Sequence, residues 1–96
     1  MFIIDITYTA ELAEIDKAMK EHMLYLHQYY NEGTFLVSGR KEPRKGGIIL
    51  VNGSDAAATR KIAREDPFFK KGLSKFRITA FTASQANKHL LKIIKS

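Results

Sequence analysis

The stretch FIIDITYT, residues 2–9, decides the fold because its hydrophobic pattern has a period of two. Bulky side chains occupy positions 2, 4, 6 and 8, which is typical of a strand with one buried face. Ile3, Asp5 and Thr7 face the other way, so the second face is also partly apolar. Thr9 offers a hydroxyl that can cap a helix, and the stretch therefore predicts a strand that leads directly into a helix.

The first helix is expected to run from Thr9 to about Glu32 and to end at Gly33. Its predicted apolar stripe has spacings of three and four residues and consists of Leu12, Ile15, Met19, Met23, Leu26 and Tyr30. A short strand follows at 34–38, and Phe35 and Val37 are expected on one of its faces. Residues 38–47, SGRKEPRKGG, are rich in glycine and bases and predict a loop.

The second half of the chain repeats the strand–helix–strand order. Strands are expected at 47–52 and 73–82, and a helix capped by Ser54 is expected at 55–65. A last helix is predicted at 84–95, with Lys88, Lys92 and Lys95 on its polar side. The order β-α-β-β-α-β-α predicts one α+β domain over residues 1–96, with a ferredoxin-like split βαβ fold and an added C-terminal helix.

Both faces of the predicted sheet carry large apolar residues, and this pattern indicates how the protein associates. Two helices can cover only one face, and Ile3 and Phe81 would then lie on the other. Stacking two such sheets would remove those side chains from water. We therefore expect a homodimer.

Composition limits the function classes. The 96 residues include no cysteine, so disulfides, thiolate metal sites and a cysteine nucleophile are excluded. No apolar run is long enough for a membrane span, and the N-terminus lacks the basic region of a signal peptide, so we expect a cytoplasmic protein. Residues 1–33 hold six acids and two bases, a net charge of −4, and the rest of the chain has fourteen bases and four acids, or +10. Solvated surfaces explain this asymmetry more simply than a nucleic-acid partner does.

Two side chains are candidates for acid–base chemistry. His22 lies at the edge of the apolar stripe of the first helix, where it is either a hydrogen-bonded residue at the margin of the core or a proton carrier. Asp66 precedes Pro67, which is favoured in the first turn of a helix, so its carboxylate is predicted to cap the turn 67–71. The same rigid position beside Phe68 would also suit a catalytic carboxylate. The two roles of Asp66 are compatible.

Other chemical signatures are weak. Ser38 and Gly39 end a strand, but no GxSxG motif surrounds the serine, and the basic loop lacks the pattern of a P-loop. Three scattered histidines do not have metal-ligand spacing. We therefore expect neither a metal nor a cofactor.

Three motifs in order resemble the YciI-like (YCII-related) family of small α/β proteins. They are HMLYLHQYYNEGTFLVSG at 22–39, GGIILV at 46–51 and EDPFFKKGL at 65–73, which together cover nearly the whole chain. The resemblance implies a dimeric α/β barrel in which a histidine from the first helix meets the aspartate of the Asp-Pro motif. Carried over by position, these residues are His22 and Asp66.

The resemblance also implies a pocket with Ser38 nearby, and we add Gly39, Arg40 and Phe68 as expected substrate-binding residues. A relative of known activity eliminates chloride from a chlorinated hydroquinone, and the fold is similar to that of muconolactone isomerase. The family often has Gly-Pro where this chain has Gly39-Arg40, and a base at the pocket mouth favours an anionic ligand. Two hypotheses remain open: a cofactor-free lyase or isomerase that acts on a small anionic or aromatic metabolite, and a non-catalytic module that binds a small ligand.

Overall fold

Four strands and four helices follow one another in the computed structural model, which describes residues 1–94. The strands are β1 (Phe2–Tyr8), β2 (Phe35–Arg40), β3 (Gly46–Val51) and β4 (Ser74–Ala80). The helices are α1 (Leu12–Asn31), α2 (Ala56–Arg64), the single turn α3 (Pro67–Lys70) and α4 (Lys88–Ile94). No helix within residues 1–94 is long and apolar enough to cross a membrane.

The four strands form one antiparallel sheet in the order β2-β3-β1-β4. Ile4 on the central strand lies opposite Ile49 on β3 and Ile78 on β4. Both β-α-β connections skip one position in the sheet, which is the split βαβ topology. The predicted α+β, ferredoxin-like fold is thus confirmed.

The core lies between one face of this sheet and the helices. Phe2, Ile4 and Ile6 point into it from β1, as the period-two pattern predicted. The other buried members of the main cluster come from α1, α2, β2 and β3: Tyr25, Leu26, Tyr29, Phe35, Ile49, Val51 and Ala63. A second cluster of Ile15, Ala18 and Phe68 joins α1 to α3.

The buried face of α1 differs from the predicted stripe. Leu12 and Met23 are exposed, whereas Tyr25 and Tyr29 are buried. Each tyrosine buries its ring because its hydroxyl finds a partner beyond α1, which a polar-tipped aromatic requires. The predicted cap at Thr9 is also wrong: Glu11 precedes the helix without a capping side chain, and the Thr9 hydroxyl bonds to the Gly72 carbonyl 3.3 Å away.

A break in register corrects the prediction for β2. Phe35 pairs with Val51 and Val37 pairs with Leu50, so one extra residue is accommodated between them. Such a bulge interrupts the alternation of side chains, so Phe35 and Val37, two residues apart, no longer share a face. Phe35 is buried in the core, whereas Val37 is 57% exposed on the opposite face.

Element boundaries also shift. Strand pairing extends through Arg40 and resumes at Gly46, which reduces the predicted ten-residue loop to 41–45. The cap of α2 is Asp55 rather than Ser54, because the Asp55 side chain accepts a hydrogen bond from the amide of Ala57. The last helix begins at Lys88 instead of residue 84, and the predicted position of Lys95 lies outside the described residues.

The face of the sheet away from the helices is the open face, on which the apolar Ile3, Val37 and Leu50 lie beside the charged Asp5, Lys75 and Arg77, with Phe81 just beyond β4. Val37 and Phe81 are 57% and 40% exposed. Fully burying one large apolar side chain contributes roughly 1.5–3 kcal/mol of free energy, which is lost while the side chain stays exposed. We propose that two open faces pack together in a homodimer.

A charge on the open face should therefore separate the protomers. Val37→Arg is expected to give a folded monomer in sedimentation velocity at micromolar concentration, where the unmodified protein sediments as a dimer. Leu24→Arg is a matched control, since Leu24 is 63% exposed on the outer side of α1, and it should leave the dimer intact. A folded, monomeric unmodified protein would refute the proposal.

Candidate functional site

His22 occupies the part of α1 that faces the β2–β3 half of the sheet. Residues three and four apart share one side of a helix, so Met19 and Leu26 flank His22, and Met23 lies next to Met19 and Leu26 by the same rule. These four side chains line one wall of a cleft. The His22 side chain is only 12% exposed, and most of its surface is packed.

Asp66 lies at the junction between α2 and α3. Its Oδ1 accepts a hydrogen bond from the Phe68 amide at 3.0 Å, and Pro67 is the first residue of the new turn. The predicted cap is confirmed, and it has a simple origin: a carboxylate satisfies an amide that the helix leaves free, and proline has no amide to satisfy. Asp66 is 2% exposed.

The two side chains meet. His22 Nδ1 lies 2.8 Å from Asp66 Oδ1, although the residues are 44 positions apart. A carboxylate can only accept hydrogen bonds, so Nδ1 carries the hydrogen and Nε2 is left as the nitrogen available to a ligand.

Phe68 fixes the plane of the imidazole. Its ring stacks on that of His22 with centroids 4.0 Å apart and an angle of 9° between the planes. Phe68 is 1% exposed and is not part of the cleft wall. It is therefore placed to orient His22, and a ligand in the cleft would not touch it directly.

Two tyrosines hold α1 against the end of α2. The Tyr25 hydroxyl donates to the Ile62 carbonyl at 2.7 Å, and the Tyr29 hydroxyl donates to the Glu65 carboxylate. Burial, and then the charge of Asp66, raise the pKa of Tyr25 above its usual value. Burial and the bond to Glu65 do the same to the pKa of Tyr29. Both phenols therefore stay protonated donors and keep α1 in register with the Asp66 junction.

The cleft has a volume of about 320 Å³, which is at the small end for ligand sites. Its apolar lining comes from β1, α1 and β3. Ser38, Gly39 and Arg40, three of the residues expected from the sequence, lie along its β2 edge. Asp66 lies behind His22 and does not line the cleft.

Arg44 was missed by the sequence interpretation, and Tyr30 was assigned only to the apolar stripe of the first helix. Arg44 lines the cleft from the 41–45 loop, and its guanidinium lies 2.5 Å from the Asp16 carboxylate. That hydrogen bond is the main cause that raises the pKa of Arg44 above its usual value. The Tyr30 hydroxyl lies 2.5 Å from Ser38 Oγ. The position of Tyr30 near the site follows from its spacing, since positions 22, 26 and 30 share one side of α1.

Two other cavities within residues 1–94 are lined by no histidine, although one of about 450 Å³ carries Asp5, Lys41, Lys75 and Arg77. A larger groove of about 660 Å³ runs between Met1, Phe81 and Ile94, but none of the lining residues within 1–94 carries an ionisable side chain. No cluster of three or more His, Asp or Glu side chains within residues 1–94 is arranged to hold a metal ion. The imidazole of His22, held by Asp66, makes the 320 Å³ cleft the candidate functional site.

The profile of the YCII-related domain matches residues 1–82, which include β1 to β4 and every residue of this site. The chain belongs to the YCII-related family. No curated protein sequence matches it significantly.

Solved structures include a close match in fold to this YCII-related chain. The chain is similar to 5-chloro-2-hydroxyhydroquinone dehydrochlorinase (TftG) from Burkholderia phenoliruptrix AC1100, solved in complex with 2,5-dihydroxybenzoquinone. The TM-score is 0.71 with 16% sequence identity, over 93% of this chain and 98% of the dehydrochlorinase. At that identity the likeness establishes the shared fold.

Asp66 both caps α3 and binds His22, and the two contributions can be measured as changes in the free energy of unfolding. Asp66→Ala removes a helix cap, worth about 0.5–2 kcal/mol, and leaves the buried His22 N–H unpaired, which costs about 1–3 kcal/mol more. Urea unfolding should therefore show a loss of about 2–4 kcal/mol, whereas Asp66→Asn, which keeps an acceptor oxygen, should lose less.

Asp55→Ala is the matched control, because Asp55 caps α2 in the same way but is exposed and is bonded through its side chain only to the Ala57 amide. It should lose only the cap contribution. Equal losses for the two alanine variants would show that the contact with His22 adds nothing to stability.

Proposed function

We propose that this YCII-related protein is a cofactor-free enzyme that moves a proton on a small anionic or aromatic metabolite, in a reaction of the lyase or isomerase type. The observation that supports it is the His22–Asp66 contact: an imidazole whose Nδ1 is held at 2.8 Å by a carboxylate that is itself 2% exposed. A histidine oriented in this way presents Nε2 to the cleft as the nitrogen that can accept a proton.

The proton-transfer chemistry requires only His22 to change its protonation state. In an isomerisation, Nε2 takes a proton from one carbon of the substrate, and the imidazolium returns it to another position of the same intermediate. In an elimination, Nε2 takes the proton while the leaving group departs with its bonding electron pair. Asp66 stabilises the imidazolium in both reactions, because opposite charges attract more strongly where water is excluded.

The lining of the cleft supports a small, flat substrate with one polar end. Tyr8 and the aliphatic and methionine side chains cover most of its walls, while Ser38, Arg40 and Arg44 lie along one edge. A ligand of this shape would place its apolar body against α1 and its polar groups against β2 and the 41–45 loop. The dehydrochlorinase with the same fold acts on a substrate of that size class, as its name indicates.

His22 is the residue on which the proposal can be tested most simply. His22→Gln should lower kcat/KM by about 10²- to 10⁴-fold, the usual contribution of a general acid or base. Halogenated hydroquinones and enol-lactones form the starting panel, with product formation followed by absorbance and mass spectrometry.

His27→Gln is the matched control, since His27 lies on the same helix but is exposed to solvent. It should retain the activity of the unmodified protein. Turnover that survives in His22→Gln would remove His22 from the mechanism. Ligand binding by the unmodified protein with no turnover across the panel would favour the alternative, a module that binds a small molecule without transforming it.

A further inference from the structure

The charges that line the cleft are all of one sign. Arg40 and Arg44 lie on its wall, and none of the described residues that line it is an acid. Two guanidinium groups beside walls that are otherwise largely apolar attract an anion and offer it several N–H donors in a fixed plane.

Arg40 is free to bind a ligand. It is exposed at the end of β2, and within residues 1–94 no carboxylate forms an ion pair with it. The neighbouring Lys41 points to the other side of the sheet, where it pairs with Asp5. Alternation along the strand therefore separates the two bases, and Arg40 is the one that faces the cleft.

Arg44 is already occupied, by a carboxylate from the protein itself. Asp16 reaches from α1 to within 2.5 Å of the Arg44 guanidinium and joins the 41–45 loop to the helix on the opposite wall. The Asp16 side chain is 59% exposed, and ion pairs at such exposed positions are weak. A ligand carboxylate can therefore compete with Asp16 for Arg44 at little cost.

We propose that Arg40 and Arg44 together bind a carboxylate group on a small, flat, apolar substrate, and that this carboxylate displaces Asp16 from Arg44. Asp16 then occupies the anion site while the cleft is empty and is released when the substrate enters. The inference deepens the proposed function, since it concerns the same cleft and assigns the class of substrate.

Benzoate and benzamide are suitable probes because they have nearly the same shape and differ in charge. Titration of the ¹⁵N-labelled protein, followed by amide NMR near physiological salt, should show benzoate shifting the signals of Gly39, Arg40 and Gly47. Benzoate should bind at least about tenfold more tightly than benzamide, since hydrogen bonds to a charged group are the stronger ones.

Three variants test the assignment of the residues. Arg40→Gln and Arg44→Gln should each weaken benzoate binding by about tenfold. Asp16→Asn should strengthen it by up to about fivefold, because it releases Arg44 from an exposed ion pair. A merely structural link between loop and helix would instead lose affinity when Asp16 is neutralised.

Two further variants are matched controls. Lys45→Gln removes a charge from the same loop at a position outside the cleft wall, and Glu14→Gln removes an acid from the same helix that pairs with Lys17. Both should leave the affinity for benzoate within about twofold. Equal binding of the two probes, or an unchanged or weaker affinity in Asp16→Asn, would overturn the proposal.

The test of the carboxylate site can fail while the proposed enzymatic function holds, and the reverse is also true. Turnover by His22→Gln tests proton transfer, whereas benzoate binding by the arginine and Asp16 variants tests the anion site. Loss of turnover in His22→Gln together with charge-independent binding would retain the enzyme and refute the carboxylate site.

Discussion

A single oxygen atom, Oδ1 of Asp66, accepts hydrogen bonds from the Phe68 amide and from His22 Nδ1, and it thereby joins α3 to α1. Both donors are held close by packing, because Phe68 belongs to the cluster with Ile15 and Ala18 and its ring stacks on His22. Burial of Asp66 is tolerated because its oxygen is satisfied from two sides. The same contact thus stabilises a helix junction and fixes the orientation of an imidazole.

The arrangement of the sheet determines which surface His22 faces. β1 crosses the centre of the sheet and buries Ile4 and Ile6 under α1, which leaves His22 over the β2–β3 half. Gly39 and Gly47 lie on that half without side chains, and the cleft opens between them and the helix. Aliphatic walls, a held imidazole and two guanidinium groups then face one small space. Such a combination suits a substrate with an apolar body and one anionic end.

Features that depend on neighbouring residues were predictable from the sequence. The alternation at 2–8 correctly identified β1 and its buried face, and the Asp66-Pro67 pair correctly identified a capped turn, because each pattern is local. The bulge between Phe35 and Val37 was missed, since it depends on how β2 pairs with β3. The buried face of α1 was misplaced because Tyr25 and Tyr29 find their partners 37 and 36 residues away.

The same distinction between local patterns and tertiary packing applies to the candidate site. Local patterns singled out His22 and Asp66 separately, but only the resemblance to a family implied that they meet across 44 residues. Arg44 was passed over as a loop residue, and its pairing with Asp16 depends on α1 lying across the sheet from the loop. The contacts between His22 and Asp66 and between Arg44 and Asp16 arise from tertiary packing, which no short motif encodes.

The central claim is that Asp66 holds His22 in one tautomer, with the hydrogen on Nδ1 and Nε2 open to the cleft. Long-range ¹H–¹⁵N NMR of the imidazole rings measures this directly, because protonated and unprotonated ring nitrogens resonate far apart. At a pH where His22 is neutral, Nδ1 of His22 should carry the hydrogen, whereas the exposed His27 should show the tautomer mixture of a free imidazole. A His22 ring with its hydrogen on Nε2 would contradict the account.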